Sequence, residues 1–474
     1  MKQKSFAKNY VFNLFYQIIA IALSLVTTPY LSRVLGADGI GRYSFAQSIV
    51  SYFALAAALG STLYGQRLIA RVSADPEARS RCFFEILLFR LLGAILATLT
   101  FCVCILPASS DPLLYAVAAI EILTVAFDIT WFYQGMEDFQ PIAVCTAAGR
   151  LLAMVAIFLF VKTKGDLIIY VACYCVSILV GNLFSWHGVR RYLVAVSPRS
   201  FRLRHHFLPS ISLFASQFAI QIYTVLDKTM IGLITKSDFE NGYYEQSQKL
   251  IKVLIALVTS LGAVMASRVA VLWRENKKND VYRLVEGAFR FIFALGLPMA
   301  AGCILILSRF VPVFYGDGFE PVIPIIRILC IMFPIIGCSN VVGIQLLVPT
   351  GREKHLTRSV LVGAGVNVVL NAAMIPLWAA LGAAIASVIA ECAVTATQLF
   401  AVRREINLRA VAKSFLRYLL LTAIMTGVGA ALSRVAPDGI LGIAVIVLPC
   451  VFVYGALLLV LHDPVLSFFK GRKE

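Results

Sequence analysis

Ile440-Leu-Gly-Ile-Ala-Val-Ile-Val-Leu-Pro-Cys450-Val-Phe-Val-Tyr-Gly-Ala-Leu-Leu-Leu-Val460-Leu461 runs for 22 residues without a charge, and its reading decides the fold. About 20 apolar residues in a helix cross the roughly 30 Å hydrocarbon core of a bilayer. No other open structure satisfies its own backbone polar groups there. Working outward towards the N-terminus, comparable stretches recur as far back as Tyr10, at 10–31, 43–65, 83–106, 113–133, 142–162, 167–187, 209–234, 243–271, 285–309, 321–348, 357–377, 379–401 and 414–433. With 440–461 they predict an all-α polytopic membrane protein of about 14 transmembrane helices. The least marked division, around Pro376, separates the eleventh helix from the twelfth.

Composition agrees with that reading. Of 474 residues 60% are hydrophobic and 14% charged, against roughly 45–50% and about 25% in soluble domains, and the mean hydropathy is +0.86. The longest polar interval, Gly188–Leu208, spans about 21 residues and is too short to build a separate core. Most of the 11 cysteines lie inside apolar segments and read as small packing residues. The five histidines have no zinc-site spacing, so no metal is expected. There is no Gly-x-x-x-x-Gly-Lys phosphate loop, and no cofactor is implied. The outer loops, around Ser32–Arg42 and Phe310–Glu320, reach only about 11 residues, which favours a carrier over an enzyme.

Met1–Lys8 is basic and precedes an apolar run with no small-x-small cleavage pattern, so it reads as leading a retained first helix. With that end in the cytoplasm, alternate loops carry about 26 Lys and Arg inside against about 7 outside, the asymmetry that sets membrane orientation. Both termini are then cytoplasmic. The net charge of +17 is mostly this topological signal rather than a footprint for nucleic acid, which is not expected as a partner.

The basic interval 188–208 divides the chain into an N-lobe of six helices (1–187), a C-lobe of six (209–401), and a remainder (402–474) holding helices thirteen and fourteen with a tail. Both lobes would start on the cytoplasmic side, as parallel repeats flanking a substrate site do. Gly41-Arg-Tyr43 with Gln47 recurs as Gly242-Tyr-Tyr244 with Gln248 at the opening of the second helix of each lobe.

Several ionisable residues fall within the spans: Glu121, Asp128, Arg150, Asp227, Lys228, Lys249, Lys252, Arg290, Arg327 and Glu391. At roughly 2.5–3.5 kcal/mol each against lipid, they must face protein or water. Asn13 and Gln17 share one stripe of the first helix, Gln217 and Gln221 with Lys228 one stripe of the seventh, and Lys249 with Lys252 one face of the eighth. Such faces suit a central cationic cavity, but interhelical hydrogen bonding also uses Asn, Gln and Thr. For the charges the alternative is local pairing: Asp227 with Lys228, Glu245 with Lys249, Glu286 with Arg290. Arg150 has no acidic residue in its own helix and requires Glu121, Asp128 or an anionic ligand. Gln47 completes the candidate substrate-binding set, together with Arg150, Lys228, Lys249, Lys252, Arg290 and Arg327. Asp128, Asp227 and Glu391 are candidates for a coupled proton or sodium site, or for structural partners of buried cations. A pyrophosphate or acidic sugar would satisfy such a cavity.

Lys8-Asn-Tyr-Val-Phe-Asn13 and Pro29-Tyr-Leu-Ser-Arg33-Val-Leu-Gly36-Ala-Asp-Gly39-Ile-Gly41-Arg-Tyr43-Ser-Phe-Ala-Gln47 resemble the opening of bacterial oligosaccharide (Wzx-type) flippases of the multidrug/oligosaccharidyl-lipid/polysaccharide exporter superfamily. Trp131-Phe-Tyr-Gln-Gly135-Met-Glu137, Asp227-Lys228-Thr-Met-Ile-Gly232, Tyr315-Gly316 and Gly351-Arg-Glu353 extend the resemblance over most of the chain. It implies two six-helix lobes around a cavity, with two C-terminal helices outside them, in a bacterial cytoplasmic membrane. The implied activity is movement of an undecaprenyl-diphosphate-linked oligosaccharide from the inner to the outer leaflet by alternating access. Membrane lipids, a glycan polymerase and glycosyltransferases are the implied partners. Two relatives are alternatives: the lipid-linked peptidoglycan precursor flippase, whose N-terminal pattern does not match Gly36–Tyr43, and multidrug exporters, whose cationic substrates the cavity cations would repel.

Overall fold

A computed structural model describes residues 6–260 and 262–466; of residues 6–21, 200, 215, 216, 219, 220, 222, 223 and 263 only the backbone is described. No strand occurs among the described residues. The chain forms two compact units that divide between Thr229 and Met230.

The first unit contains α1 (Phe6–Ala58), α2 (Ser61–Val72), α3 (Pro76–Cys104), α4 (Pro112–Ala118), α5 (Ile120–Phe127), α6 (Thr130–Gly135), α7 (Phe139–Phe160), α8 (Leu167–Val189) and most of α9 (Arg204–Thr235). Two expected spans and the outer loop between them form the single run α1. It breaks only at Gly36 (φ 71°, ψ 176°), a conformation open to glycine for want of a Cβ, so the chain turns in one residue. The fourth predicted span is split instead into α4, α5 and α6. Its second break is at Asp128–Ile129, where the Asp128 carboxylate accepts the N–H of Thr130, the first residue of α6, at 2.9 Å. α3 starts as its sequence directs: Asp75 accepts the N–H groups of Glu77 and Ala78, and Pro76 occupies the first helical position.

The second unit contains the end of α9, α10 (Asp238–Val258), α11 (Gly262–Arg274), α12 (Lys278–Tyr315), α13 (Val322–Leu329), α14 (Met332–Asn340) with the π-helical turn Val341–Leu347, α15 (Glu353–Val402), α16 (Leu408–Ser433) and α17 (Gly439–Val460). α15 joins the eleventh and twelfth expected spans. It breaks at Ala379 (φ 48°, ψ −127°), three residues beyond Pro376, and the Ala380 N–H freed there donates to the Glu240 carboxylate at 3.0 Å.

Among the described residues, ten helical segments are long and apolar enough to cross a membrane. Counting the kinked first segment and α15 as two passes each, and adding α9 and the α10–α11 pair, gives the expected fourteen. Large apolar side chains point outward, Phe452 at 77% and Leu441 at 74% exposure on α17 among them. That belt has a lipid environment as its physical explanation.

Candidate functional site

The structure builds a polar cluster in the first unit from α1, α5, α7 and α8. Gln47 on α1 donates from Nε2 to Glu121 Oε2 on α5 at 2.6 Å, while its own Oε1 is buried without a hydrogen-bond partner. One turn earlier on α1, Tyr43 packs edge-on against Tyr170 and Tyr174 of α8 at centroid distances of 5.2 and 6.2 Å. Tyr174 lies within electrostatic reach of both Glu121 and Arg150. Arg150, on α7, is exposed, and its backbone is held near α8 by its neighbour Gly149. A Cβ on Gly149 would lie 3.0 Å from the Ser177 carbonyl oxygen and 3.3 Å from Gly181 Cα, the close small-residue packing that membrane helices use. The cluster therefore offers a carboxylate, phenol hydroxyls, an amide and a guanidinium, a set able to hydrogen-bond sugars and attract an anion.

Asp128 goes elsewhere. Its Oδ2 pairs at 3.2 Å with Arg90, a side chain only 1% exposed. The Arg90 guanidinium also donates to the Val125 carbonyl at 3.1 and 2.9 Å, and to the hydroxyls of Ser61 and Thr62 at 3.2 and 3.0 Å. All five N–H donors are thus engaged, and they tie the start of α2 to the end of α5. Sequence reading missed Arg90, although a charge inside the span 83–106 was the signal for it.

Asp227 is buried on α9 within electrostatic reach of Tyr52. Beside it, the Tyr52 hydroxyl meets Thr229 at 3.1 Å and Thr229 donates to Ser48 at 2.9 Å. Gln217, Gln221 and Lys228 are half-buried on the same helix, whereas the side chains of Asn13 and Gln17 lie outside the described residues. In the second unit Lys249 pairs with Glu245 at 3.5 Å, and Lys252 is exposed one turn on. Arg290 and Glu391 are half-buried, and Glu286 makes no ion pair with Arg290 among the described residues. Arg327 is outward-facing and donates to Ser308 at 3.2 Å. The structure thus joins Gln47 to Glu121, with Tyr174 within electrostatic reach of Glu121 and of Arg150.

An apolar groove of about 670 Å³ runs over α12, α16 and α17, lined by residues such as Leu254, Pro298, Met299, Ile306, Val447 and Val451. Its chemistry suits a hydrocarbon chain. The motif Trp131–Gly135 is a packing device: Trp131, Phe132 and Tyr133 are fully buried, and α6 meets α2 where a Cβ on Gly65 would lie 2.6 Å from the Trp131 ring. Among the described residues no cluster of His, Cys, Asp or Glu is arranged to hold a metal.

Residues 6–267 match the family described as "Polysaccharide biosynthesis protein". The chain is 21% identical over 385 residues to a Shigella dysenteriae protein named "Putative O-antigen transporter", covering 80% of this chain and 95% of that one. The Escherichia coli (strain K12) protein of the same name is 23% identical over 399 residues, covering 81% and 93%. Among solved structures, the lipid II flippase MurJ in an inward closed conformation superposes with a TM-score of 0.78 at 16% identity, over 96% of this chain and 99% of that one. An inward-facing multidrug resistance transporter of the MATE family superposes with a TM-score of 0.62 at 15% identity, over 83% and 99%. These two structures share the polytopic fold with this chain.

Proposed function

This chain belongs to the polysaccharide biosynthesis protein family, and on that premise we propose that it carries an undecaprenyl-diphosphate-linked oligosaccharide from the inner to the outer leaflet of the bacterial cytoplasmic membrane. The observation that carries the proposal is the Gln47–Glu121 pair with Tyr174 within electrostatic reach of Glu121 and of Arg150, in a chain whose relatives are named as O-antigen transporters. Arg150 would attract the diphosphate, since a charge away from bulk water is weakly screened. The amide, carboxylate and phenol groups would hydrogen-bond the sugars. The apolar groove over α12, α16 and α17 supports lodging of the lipid tail. Alternating access requires only that loading shift the balance of two states by a few kcal/mol. No bond is broken in such a cycle.

The test is binding of an undecaprenyl-diphosphate-linked sugar to the purified protein, wild type against Arg150→Ala and Lys252→Ala, under rising salt. Salt-weakened binding that falls about tenfold or more in the variants supports the anionic cargo. Equal binding in all three would make these cations structural and remove the cavity assignment. A second reading, transport of a lipid-linked peptidoglycan precursor, draws on the fold shared with the lipid II flippase. Competition between the two lipid-linked substrates separates them. Multidrug export of cations is disfavoured by the charge of Arg150, Lys228, Lys249 and Lys252.

A further inference from the structure

The first unit holds a polar cavity of about 820 Å³ between the end of α2 and the start of α3, on the side that the loop charges direct to the cytoplasm. Five arginines converge on it from three separate stretches of chain: Arg67 and Arg71 of α2, Arg81 of α3, and Arg199 and Arg202 of the segment before α9. Its one carboxylate, Glu85, is already committed. Glu85 is 5% exposed, accepts the Arg202 backbone N–H at 2.7 Å, and holds His206 Nε2 at 2.8 Å, while His206 Nδ1 meets the Tyr64 hydroxyl at 3.0 Å. The wall is fixed: Arg79 donates to the Tyr192 carbonyl at 2.9 Å and the Val194 N–H donates to Ser80 at 2.8 Å, so the interval between α8 and α9 is stitched onto α3. Arg81 donates from Nη2 to Glu77 at 3.1 Å and leaves its Nε buried with no hydrogen-bond partner. The positive-inside tendency asks for basic residues near the membrane, but it does not ask them to crowd one cavity, where their mutual repulsion favours bound negative charge. Beside the cavity, Phe207 (51% exposed) and Leu208 (76% exposed) present apolar surface, as expected where a headgroup site meets the bilayer interface.

We propose that this cavity is a binding site for a phosphate-bearing group, either the headgroup of an acidic lipid of the inner leaflet or free phosphate or diphosphate. Guanidinium forks match phosphate oxygens in pairs, and a cavity of this size falls within the range of roughly 300–1,000 Å³ usual for ligand sites. The site rests on the geometry of the first unit and is independent of the proposed cargo. The test uses the full-length protein in nanodiscs, wild type against the double variant Arg67→Gln/Arg202→Gln. Pyrophosphate is titrated by calorimetry in phosphatidylcholine discs. Retained phosphatidic acid is measured by native mass spectrometry after release from mixed phosphatidylcholine and phosphatidic acid discs. Either signal in the wild type, reduced by about tenfold or more in the variant and weakened by salt, supports the site. Lipid retention without pyrophosphate binding assigns the headgroup source, and the reverse assigns free phosphate. Absence of both signals in the wild type, or equal signals in wild type and variant, overturns the proposal. If the Gln variant does not fold, Arg67→Lys/Arg202→Lys substitutes: it retains charge but not the fork, and unchanged affinity for both probes would likewise overturn a forked phosphate site.

Discussion

At the scale of single residues, the charges inside the apolar spans fall into different environments. Arg90 is enclosed, with every donor used by Val125, Ser61, Thr62 and Asp128. Removing one partner of such a pair leaves an uncompensated buried charge, at a cost of about 3–5 kcal/mol. Asp128→Asn should therefore lower the unfolding midpoint in detergent markedly, and an unchanged midpoint would show that the pair contributes nothing. Glu121 differs, because its partner is the neutral Gln47. Glu121→Gln retains hydrogen-bonding capacity there, so the expected outcome is a stable protein with altered cargo binding. Equal cargo affinity in Glu121→Gln and wild type would take the cluster out of the binding site. Arg150 was legible in the sequence as a mid-span cation without an acidic residue in its helix. That its electrostatic neighbourhood includes Tyr174 was not, since α7 and α8 are related only by packing.

At the scale of elements, single residues of left-handed backbone break several helices, and glycines set how closely some of them approach. Gly60 has φ +77°, and a Cβ there would lie 2.2 Å from the Ser210 carbonyl oxygen of α9. Gly60→Ala should destabilise the first unit by about 2 kcal/mol or more, from overpacking together with the left-handed backbone. A melting midpoint equal to that of the wild type would contradict it. The same break recurs about 200 residues on. α1 turns at Gly36 and ends before Gly60, while α9 ends before Lys236 (φ 52°) and α10 before Ser260. This spacing matches the repeat of Gly41–Gln47 by Gly242–Gln248. Hydropathy alone showed two long spans in each case, because a one-residue turn changes no composition.

At the scale of the whole molecule, the loop charges predict an orientation that labelling can read. In a cysteine-free background, Lys164→Cys should react with a membrane-impermeant maleimide on intact cells. Arg404→Cys should react only after permeabilisation. The reverse pattern would invert the topology and move the arginine-rich cavity to the outer side. Ion coupling belongs to this scale too. Asp128 is held by Arg90, which directs attention to the buried Asp227 and to Glu391. Abolishing proton and sodium gradients should slow flipping in vesicles if either carboxylate couples transport, and unchanged flipping would remove coupling from the proposal.

The sequence by itself determined the number, approximate limits and charge asymmetry of the helices, because the thickness of a bilayer and the cost of unsatisfied backbone groups act on each segment separately. It also marked which spans carry polar stripes. Only the tertiary structure decided which polar groups meet: that Arg90 takes Asp128, that Gln47 takes Glu121, and that five arginines from three stretches of chain line one cavity with Glu85 and His206. Those pairings depend on how helices rotate about their axes and on the path of the segment between α8 and α9. Both are set by side-chain packing between segments, for which helical periodicity carries no information.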